Sequence, residues 1–456
     1  MVAPMFRSWL RTTICLAAAA ALCGCAAYAP APLDGSADAV LAPPDLAVLS
    51  DQAAKLNHPR LAPMAIDLTR PLTPAELGLI AVVSNPDLKA ARLKAKVADA
   101  QAFDAGLLPD PVLNGSFDYK FAGPDPFNGW GAQIIYDLAV LRDHAAVQAA
   151  ARAAQGQARL DIAWQAWQTA GQARLLAARI AGLQQVLSIA ETTRAADDAA
   201  LARALSPALS GDLRADDITA RRLAAADADD KARQAEKDLD GARLDLNRLL
   251  GLPPQARLDI AAAPAADPPL DAEALFRRAR AQRLDLMALQ AGYASQEAAV
   301  RKAVLDQFPS LQLTLTRASD TAGNQTIGPA VSFTLPVWNR NQGGIAIAEA
   351  TRAQLRAEYD ARLFAARADI AELVAGLALE QRQRAEVVAQ AEALDRAAAA
   401  AEAAAGRGDV ARLAAEAARQ TASDKAAALA ALDQAIAEQT VALELAVGAP
   451  LEPQSR

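Results

Sequence analysis

Apolar residues recur at helical spacing over two long stretches of the chain. In the first, Leu160, Trp164, Trp167 and Gly171 share one face, and Ile180, Leu183 and Leu187 extend it. In the second, Leu363, Ile370 and Leu377 lie a heptad apart, with Leu373 and Val374 between the last two. Spacing near seven marks helices that supercoil on their neighbours. Proline is absent between Pro126 and Pro207 and again between Pro336 and Pro450. Because a proline inside a helix costs about 3 kcal/mol, such gaps predict very long helices. They are expected from about Leu141 to Ala204 and from about Gln342 to Ala405. The first would be on the order of 95 Å long at 1.5 Å per residue.

Each long helix is expected to end at a turn, Ser206-Pro207 through Gly211-Asp212 in one case and Gly406-Arg407-Gly408-Asp409 in the other. Glycine and proline stop a helix, and aspartate caps the next one. Shorter helices should return over about Leu213 to Leu250 and Val410 to Val447, and two others, about Pro74 to Leu107 and Leu270 to Asp306, should precede strands. Two short helices end to end match one long one, as a uniform helical cylinder requires.

The strand signals have period two. Phe117, Tyr119 and Phe121 alternate with Asp118 and Lys120, and Leu311, Leu313 and Leu315 alternate with polar residues. Ile134 to Leu138 and Val331 to Leu335 read as return strands, joined to the first pair by the Gly/Pro/Asn/Asp-rich loops Ala122 to Gly129 and Ala318 to Gln325. Strands of this kind suit a membrane barrel. They also suit a soluble four-stranded sheet packed on helices, and the alternation does not choose. Four strands cannot close a barrel, and an open edge cannot sit in lipid, so the membrane reading requires several copies.

The same order of elements is written twice. Asp87-Leu88, Ala100, Ala105, Leu107, Pro111 and Leu113 recur in register as Asp285-Leu286, Ala298, Ala303, Leu305, Pro309 and Leu311. Gly211-Asp212-Leu213 returns as Gly408-Asp409-Val410, and Leu250-Gly251 as Val447-Gly448. The period far exceeds that of solenoid repeats, and duplicated halves are a common plan for structures that surround a passage. The chain therefore divides into a leader (1–24), a Pro/Ala-rich extension (25–71), a first repeat (72–254), a linker (255–269), a second repeat (270–450) and a short tail (451–456).

Composition narrows the class. Apolar residues make up 53% of the chain and aromatics only 4%, because alanine dominates. Alanine favours helix and close helix packing. A net charge of −7, more acidic once Arg7 and Arg11 leave with the leader, argues against nucleic acid as a partner. Arg7 and Arg11 precede a short apolar stretch, Ile14 to Leu22, too short to span a bilayer, which reads as a cleaved signal. It ends in Leu22-Cys23-Gly24-Cys25, which resembles the lipobox of bacterial lipoproteins, with Cys25 as the acylated first residue of the mature chain. An ordinary secretory signal with a coincidental cysteine is the alternative. In the lipobox reading Cys15 and Cys23 leave with the signal and Cys25 carries lipid, so neither a disulfide nor thiol chemistry is expected in the mature protein.

Leu335-Pro336-Val337-Trp338-Asn339-Arg340-Asn341-Gln342-Gly343-Gly344, leading into a long helix, resembles the second-repeat signature of TolC-type outer-membrane efflux proteins. Asn85-Pro86-Asp87-Leu88 and Arg283-Leu284-Asp285-Leu286 resemble that family's helix starts, and Tyr136 to Val140 departs from its first-repeat pattern. The resemblance implies a mainly α fold with a small membrane β-barrel part. In a homotrimer, a twelve-stranded β-barrel would continue into a twelve-helix α-barrel. It implies an outer-membrane exit duct for a periplasmic adaptor and an inner-membrane RND-type pump. The turns would then ring the periplasmic tip, with Gly211, Asp212, Leu213, Gly408, Asp409 and Val410 facing the adaptor; the alternative is that they only cap helices. Asp216, Asp217 and Glu416 are candidate aperture acids, since a ring of like charge at a constriction selects ions by sign.

Ala105 to Val112 resembles the heavy-metal branch of that family. The only histidines are His58 and His144, and no Cys/Met/His cluster is spaced for metal ligation, so metal ions would pass as cargo. His58 reads as a solvated side chain of the extension. Drug efflux and type I protein secretion use the same kind of duct and remain alternatives. No catalytic constellation is present: the acids are spread along helices, and Gly406-Arg407-Gly408-Asp409 follows a helix and lacks the residues of a phosphate loop. Beyond the covalent lipid, no cofactor is expected. A periplasmic coiled-coil scaffold lipoprotein without a pore is the reading from another class, and the alternating strand segments speak against it.

Overall fold

The computed structural model describes residues 28–33, 41–209, 214–261 and 270–451. Met1–Pro43 and Pro44–Arg456 are separate units, and the fold lies in the second. Its elements are α1 (Leu46–Ala54), α2 (Pro74–Ser84), α3 (Pro86–Asp104), β1 (Val112–Asp118), β2 (Gly129–Asp137), α4 (Ala139–Leu209) and α5 (Ala215–Leu250) in the first half. The second half repeats the order with α6 (Ala272–Gln282), α7 (Leu284–Leu305), β3 (Leu311–Ser319), β4 (Gln325–Phe333), α8 (Gln342–Arg407) and α9 (Arg412–Val447). The long helices hold 71 and 66 residues, roughly 105 and 100 Å at helical rise. α4 runs through Ser206-Pro207 to Leu209, so the proline lies in its last turn and does not stop it. α8 stops where expected, at Gly408, whose left-handed backbone (φ 83°) lets its N–H close on Ala404 and Ala405.

The helix predicted before each strand pair is in fact two helices. In the first half the break is at Asn85-Pro86: proline has no N–H to donate and holds its predecessor extended. Asn85 Oδ1 caps α3 through the N–H of Leu88 at 2.9 Å, and Nδ2 donates to the carbonyl of Leu249 at 2.8 Å. In the second half the break is at Arg283, which has no proline after it yet adopts a similar backbone, φ −65° and ψ 122°. Arg283 donates to the carbonyl of Ala446 at 2.9 Å. Leu249 and Ala446 are matched positions, each just before the Leu250-Gly251 or Val447-Gly448 helix stop. Both glycines are left-handed, with φ 65° and 75°. One joint is therefore built twice with different chemistry.

α4 is the axis of the assembly of helices. α2 and α3 line its strand-proximal part, where Arg159 meets Asp99 and Gly78 lies against Ala170. α5 lines the distal part, where Arg194 faces Asp229. On another side α7 and then α9 run against α4, and α8 packs on both of these. The core of the first half joins Leu77 and Ile80 of α2, Ala173, Ala177 and Ile180 of α4, and Leu239, Leu246 and Leu250 of α5. That of the second half joins Leu275, Ile370, Val374, Leu377, Leu443 and Val447. Residues 44–72 take part in the first core through Leu49, Ala53, Ile66 and Leu72, and Leu72 pairs with Ile260 of the linker in a parallel bridge.

Glycines within α4 show where helices touch. A Cβ at Gly171 would fall 2.1 Å from Leu445, and one at Gly182 would fall 2.6 Å from Cβ of Gln434, both on α9. A Cβ at Gly156 meets nothing within 4 Å. The two kinds of site should respond oppositely. Gly182→Val is expected to destabilise by about 1–3 kcal/mol through overpacking, whereas Gly156→Ala should stabilise by up to about 1 kcal/mol through helix propensity. Thermal unfolding followed by circular dichroism checks both signs.

Candidate functional site: sheet, helix seam and tip

The four strands form one antiparallel sheet in the order β1-β2-β3-β4, so β1 and β4 are its open edges. The registers align one apolar row and one polar row side by side at its centre. Leu113 pairs with Ile134, Ile134 with Leu315, and Leu315 with Pro329. The neighbouring row is Asn114, Gln133, Thr316 and Gly328. Because side chains alternate across a strand, these rows lie on opposite faces. The apolar face continues through Tyr136, Leu313 and Val331 at one end and Phe117 and Trp130 at the other. The second face carries Ser116, Gln312, Thr314 and Ser332, with Val112, Ile135 and Ala330 in the row of Thr314. Leu113, Phe117, Ile134, Leu315 and Val331 are all exposed. The face is therefore not packed on this chain's own helices, as the soluble alternative would require. Arg317, on the apolar face near its loop end, stands 5.9 Å from the ring of Trp130. The two loops are tied together by Thr321, whose hydroxyl donates to Asp125 at 2.5 Å and whose carbonyl accepts from Phe127 N–H at 3.1 Å.

Between α4 and α9 runs a polar seam. Arg174 pairs with Glu444 at 2.5 Å, Arg179 with Glu438 at 2.9 Å and Arg419 with Asp197 at 3.0 Å, and the hydroxyls of Thr193 and Ser423 meet. At the α6–α7 joint, Arg283 grips Asp285 with two bonds of 3.0 and 2.8 Å, and its guanidinium sits 5.0 Å from the Trp164 ring. Arg362 of α8 adds a bond to Asp285 at 3.2 Å. Nearby, burial and then the charge of Asp285 push the Asp161 carboxyl above its ordinary pKa.

The tip is only partly described. Gly211, Asp212 and Leu213 lie outside the described residues, as does Cys25. Gly408, Asp409 and Val410 form the α8–α9 turn, with Asp409 bonded to Arg407 at 2.8 Å and Val410 exposed. The three candidate aperture acids separate. Asp216 is almost fully exposed, 3.7 Å from Arg214. Asp217 is partly exposed and receives Arg221 on its backbone carbonyl at 3.3 Å. Glu416 is not a free acid: its Oε2 lies 2.9 Å from Nε of Arg221, and both side chains are largely buried between α9 and α5. Its charge is balanced inside the protomer because α5 and α9 approach one another across α4, which spacing along a single helix does not reveal.

Among the described residues no group of three or more His, Cys, Asp or Glu is placed to hold a metal ion, and no helix is long and apolar enough to cross a membrane. His144 is half-buried on α4. His58, expected to be solvated, is instead half-buried and bonded to α4. The sequence signal for it is weak, since nothing in residues 55–66 marks a segment that packs. Gly182 did carry a signal, because a glycine inside a long helix costs about 1 kcal/mol relative to alanine and implies a close contact.

The outer membrane efflux protein family matches residues 275–449. No curated protein matches the chain. Among solved structures, CusC shares 20% identity at a TM-score of 0.67, over 82% of this chain and 92% of its own. The Campylobacter jejuni CmeC outer membrane channel shares 16% at 0.71, over 84% and 87%. The open-state Neisseria gonorrhoeae MtrE outer membrane channel shares 17% at 0.67, over 83% and 89%.

Proposed function

We propose that this chain is a TolC-type protein of the outer membrane efflux protein family, acts as the exit duct of a tripartite efflux system and is not an enzyme, a reading supported by the family match over residues 275–449 and the likeness to CusC. The observation that carries the reading is the sheet: largely apolar on one face, mostly polar or small on the other, with both edges unpaired. Lipid forbids open edges, so β1 of one copy must pair with β4 of the next. All neighbours within the sheet are antiparallel, and β1 and β4 are antiparallel in the same alternation, so closure keeps one pattern throughout. Two copies would make a barrel filled by its own side chains, and three leave a lumen. The polar row Asn114, Gln133, Thr316 and Gly328 then lines the passage, and the helices carry it into the periplasm.

In this reading Cys25 carries the lipid and the Gly408-Asp409-Val410 turn, with its counterpart at Gly211-Asp212-Leu213, meets a periplasmic adaptor that couples the duct to an RND-type pump. The cargo class favoured is divalent heavy-metal cations, supported by the Ala105 to Val112 segment; drugs or secreted protein are the alternative. The exposed acid at Asp216 would favour cations at a narrow tip. The duct supplies a path and no chemistry, and selectivity lies in the pump.

The deciding experiment combines native mass measurement of the protein in detergent with conductance in planar bilayers. A trimer that conducts is expected, with acyl label on the wild type and none on Cys25→Ser. A stable monomer without conductance would sink the duct, and a labelled Cys25→Ser variant would sink the lipid assignment alone. Loss of metal resistance, rather than drug resistance, on deletion of the gene separates the two cargo classes.

A further inference from the structure

His58 lies in the strap between α1 and α2, and its ring is used on both sides. Nε2 is 2.8 Å from the carbonyl of Ala163 on α4, so Nε2 carries the proton and donates. Nδ1 then accepts from the backbone N–H groups of Arg60 and Leu61, each at 3.1 Å. One tautomer of the neutral ring satisfies all three contacts, whereas the charged ring would direct an N–H at two other N–H groups. The turn that His58 holds aims the next side chain. Arg60 lays Nε and Nη2 on the carbonyl of Gln282, at 3.2 and 2.8 Å. Gln282 is the last residue of α6. The strap thus joins α4 of the first half to the α6–α7 joint of the second.

The surroundings oppose a second positive charge. His58 lines a cleft of about 570 Å³ with Lys55 of the strap, Arg92 of α3 and Arg159 of α4. Lys55 is paired with Asp51 and Arg159 with Asp99. Arg92 donates to the carbonyl of Val82 at 2.6 Å and forms no salt bridge among the described residues. Burial, opposed by the Ala163 carbonyl and aided by Arg60 and Arg92, holds the ring's pKa below its ordinary value.

We propose that the segment around His58 is a pH-responsive clasp: the neutral ring closes the strap over α4 and aims Arg60 at α6, and protonation of Nδ1 opens it. The sign follows from linkage. A histidine whose folded pKa is depressed adds stability that is complete above the unfolded value of about 6.5 and is lost as pH falls through the folded value. Acid therefore loosens the tie between the two halves while leaving the helix seams in place.

Hydrogen exchange of the intact protein in detergent, corrected for intrinsic rates, reads the clasp at the amides of Arg60 and Leu61. Their protection should fall between pH 7.5 and pH 5, with a slope no steeper than the roughly tenfold per pH unit of a single proton, while amides of the α4 core hold theirs. The chain has only two histidines, so His144→Gln leaves one ring to follow by NMR, and its titration should coincide with the loss of protection. His58→Asn keeps an acceptor for both N–H groups without titrating, and its strap should show the same protection at both pH values. Protection unchanged at pH 5 in the wild type would overturn the clasp. So would a ring pKa at or above the ordinary value, a loss at a pH where the ring does not titrate, or a pH-dependent loss in His58→Asn equal to the wild type's.

Discussion

Leu315→Arg is expected to block assembly of the protein in membranes, while Thr316→Arg, one residue away, is expected to assemble. Leu315 sits in the middle of β3, in the exposed apolar row with Ile134 and Pro329. An arginine there would face lipid near the middle of the bilayer, at a cost of about 2–4 kcal/mol per copy. With three copies the penalty recurs three times in one barrel. Thr316 lies in the row with Gln133 and Gly328, on the face that the proposed duct assigns to the passage. An arginine there stays in water and should change conductance and ion preference, with little effect on assembly. Trimer yield in outer-membrane fractions measures the first effect and bilayer recording the second. Equal trimer yields for the two variants would mean that the faces are not divided between lipid and water, and the barrel reading would fall.

Arg283→Ala should be the most damaging change outside the sheet. The side chain and its partner Asp285 are each about 7% exposed. Arg283 holds both carboxylate oxygens, caps the carbonyl of Ala446 and covers Trp164. Truncation leaves Asp285 buried, with only the half-exposed Arg362 to balance it and with Asp161, already raised in pKa by burial and by Asp285, close by. Removing one member of a buried pair typically costs about 3–5 kcal/mol. Lysine should not restore the loss, because it lacks the fork that serves the carboxylate and the carbonyl together. The double variant Arg283→Met with Asp285→Leu should lose less than Arg283→Ala, since no charge is then left alone. Thermal unfolding of the purified protein ranks the three. A single variant as stable as the wild type would show that the joint does not depend on this pair.

The matched joint in the first half should be gentler. Asn85 does the same work with an amide, and proline at position 86 already breaks the helix there. Losing its side chain removes a cap, worth about 1 kcal/mol, and strands no charge.

The two joints also divide what is local from what is not. The long helices, the strand pairs, their duplication and the left-handed stop at Gly408 were readable in the sequence because each rests on local chemistry: proline gaps, period-two alternation and a glycine where φ is positive. The break at Asn85-Pro86 belongs with them: Asn85-Pro86-Asp87-Leu88 resembles a helix start, although the helix span about Pro74 to Leu107 runs across it. The break at Arg283 is legible only through the resemblance of Arg283-Leu284-Asp285-Leu286 to a helix start, since no proline follows it. Its side chain is held by the aspartate two residues on and by the Ala446 carbonyl of α9, and the second of these contacts exists only after α6, α7 and α9 have met. The same holds for Glu416, neutralised by Arg221 from a helix some two hundred residues away in the chain, and for His58, whose partner Ala163 lies on α4. The long helices, the strand pairs, their order and the alternation along each strand follow from local chemistry, because steric and solvation preferences act on neighbours along the chain. Which charges are buried, where the halves are tied and how closely the helices approach were decided only by tertiary structure, because those energies belong to pairs that the fold alone brings together.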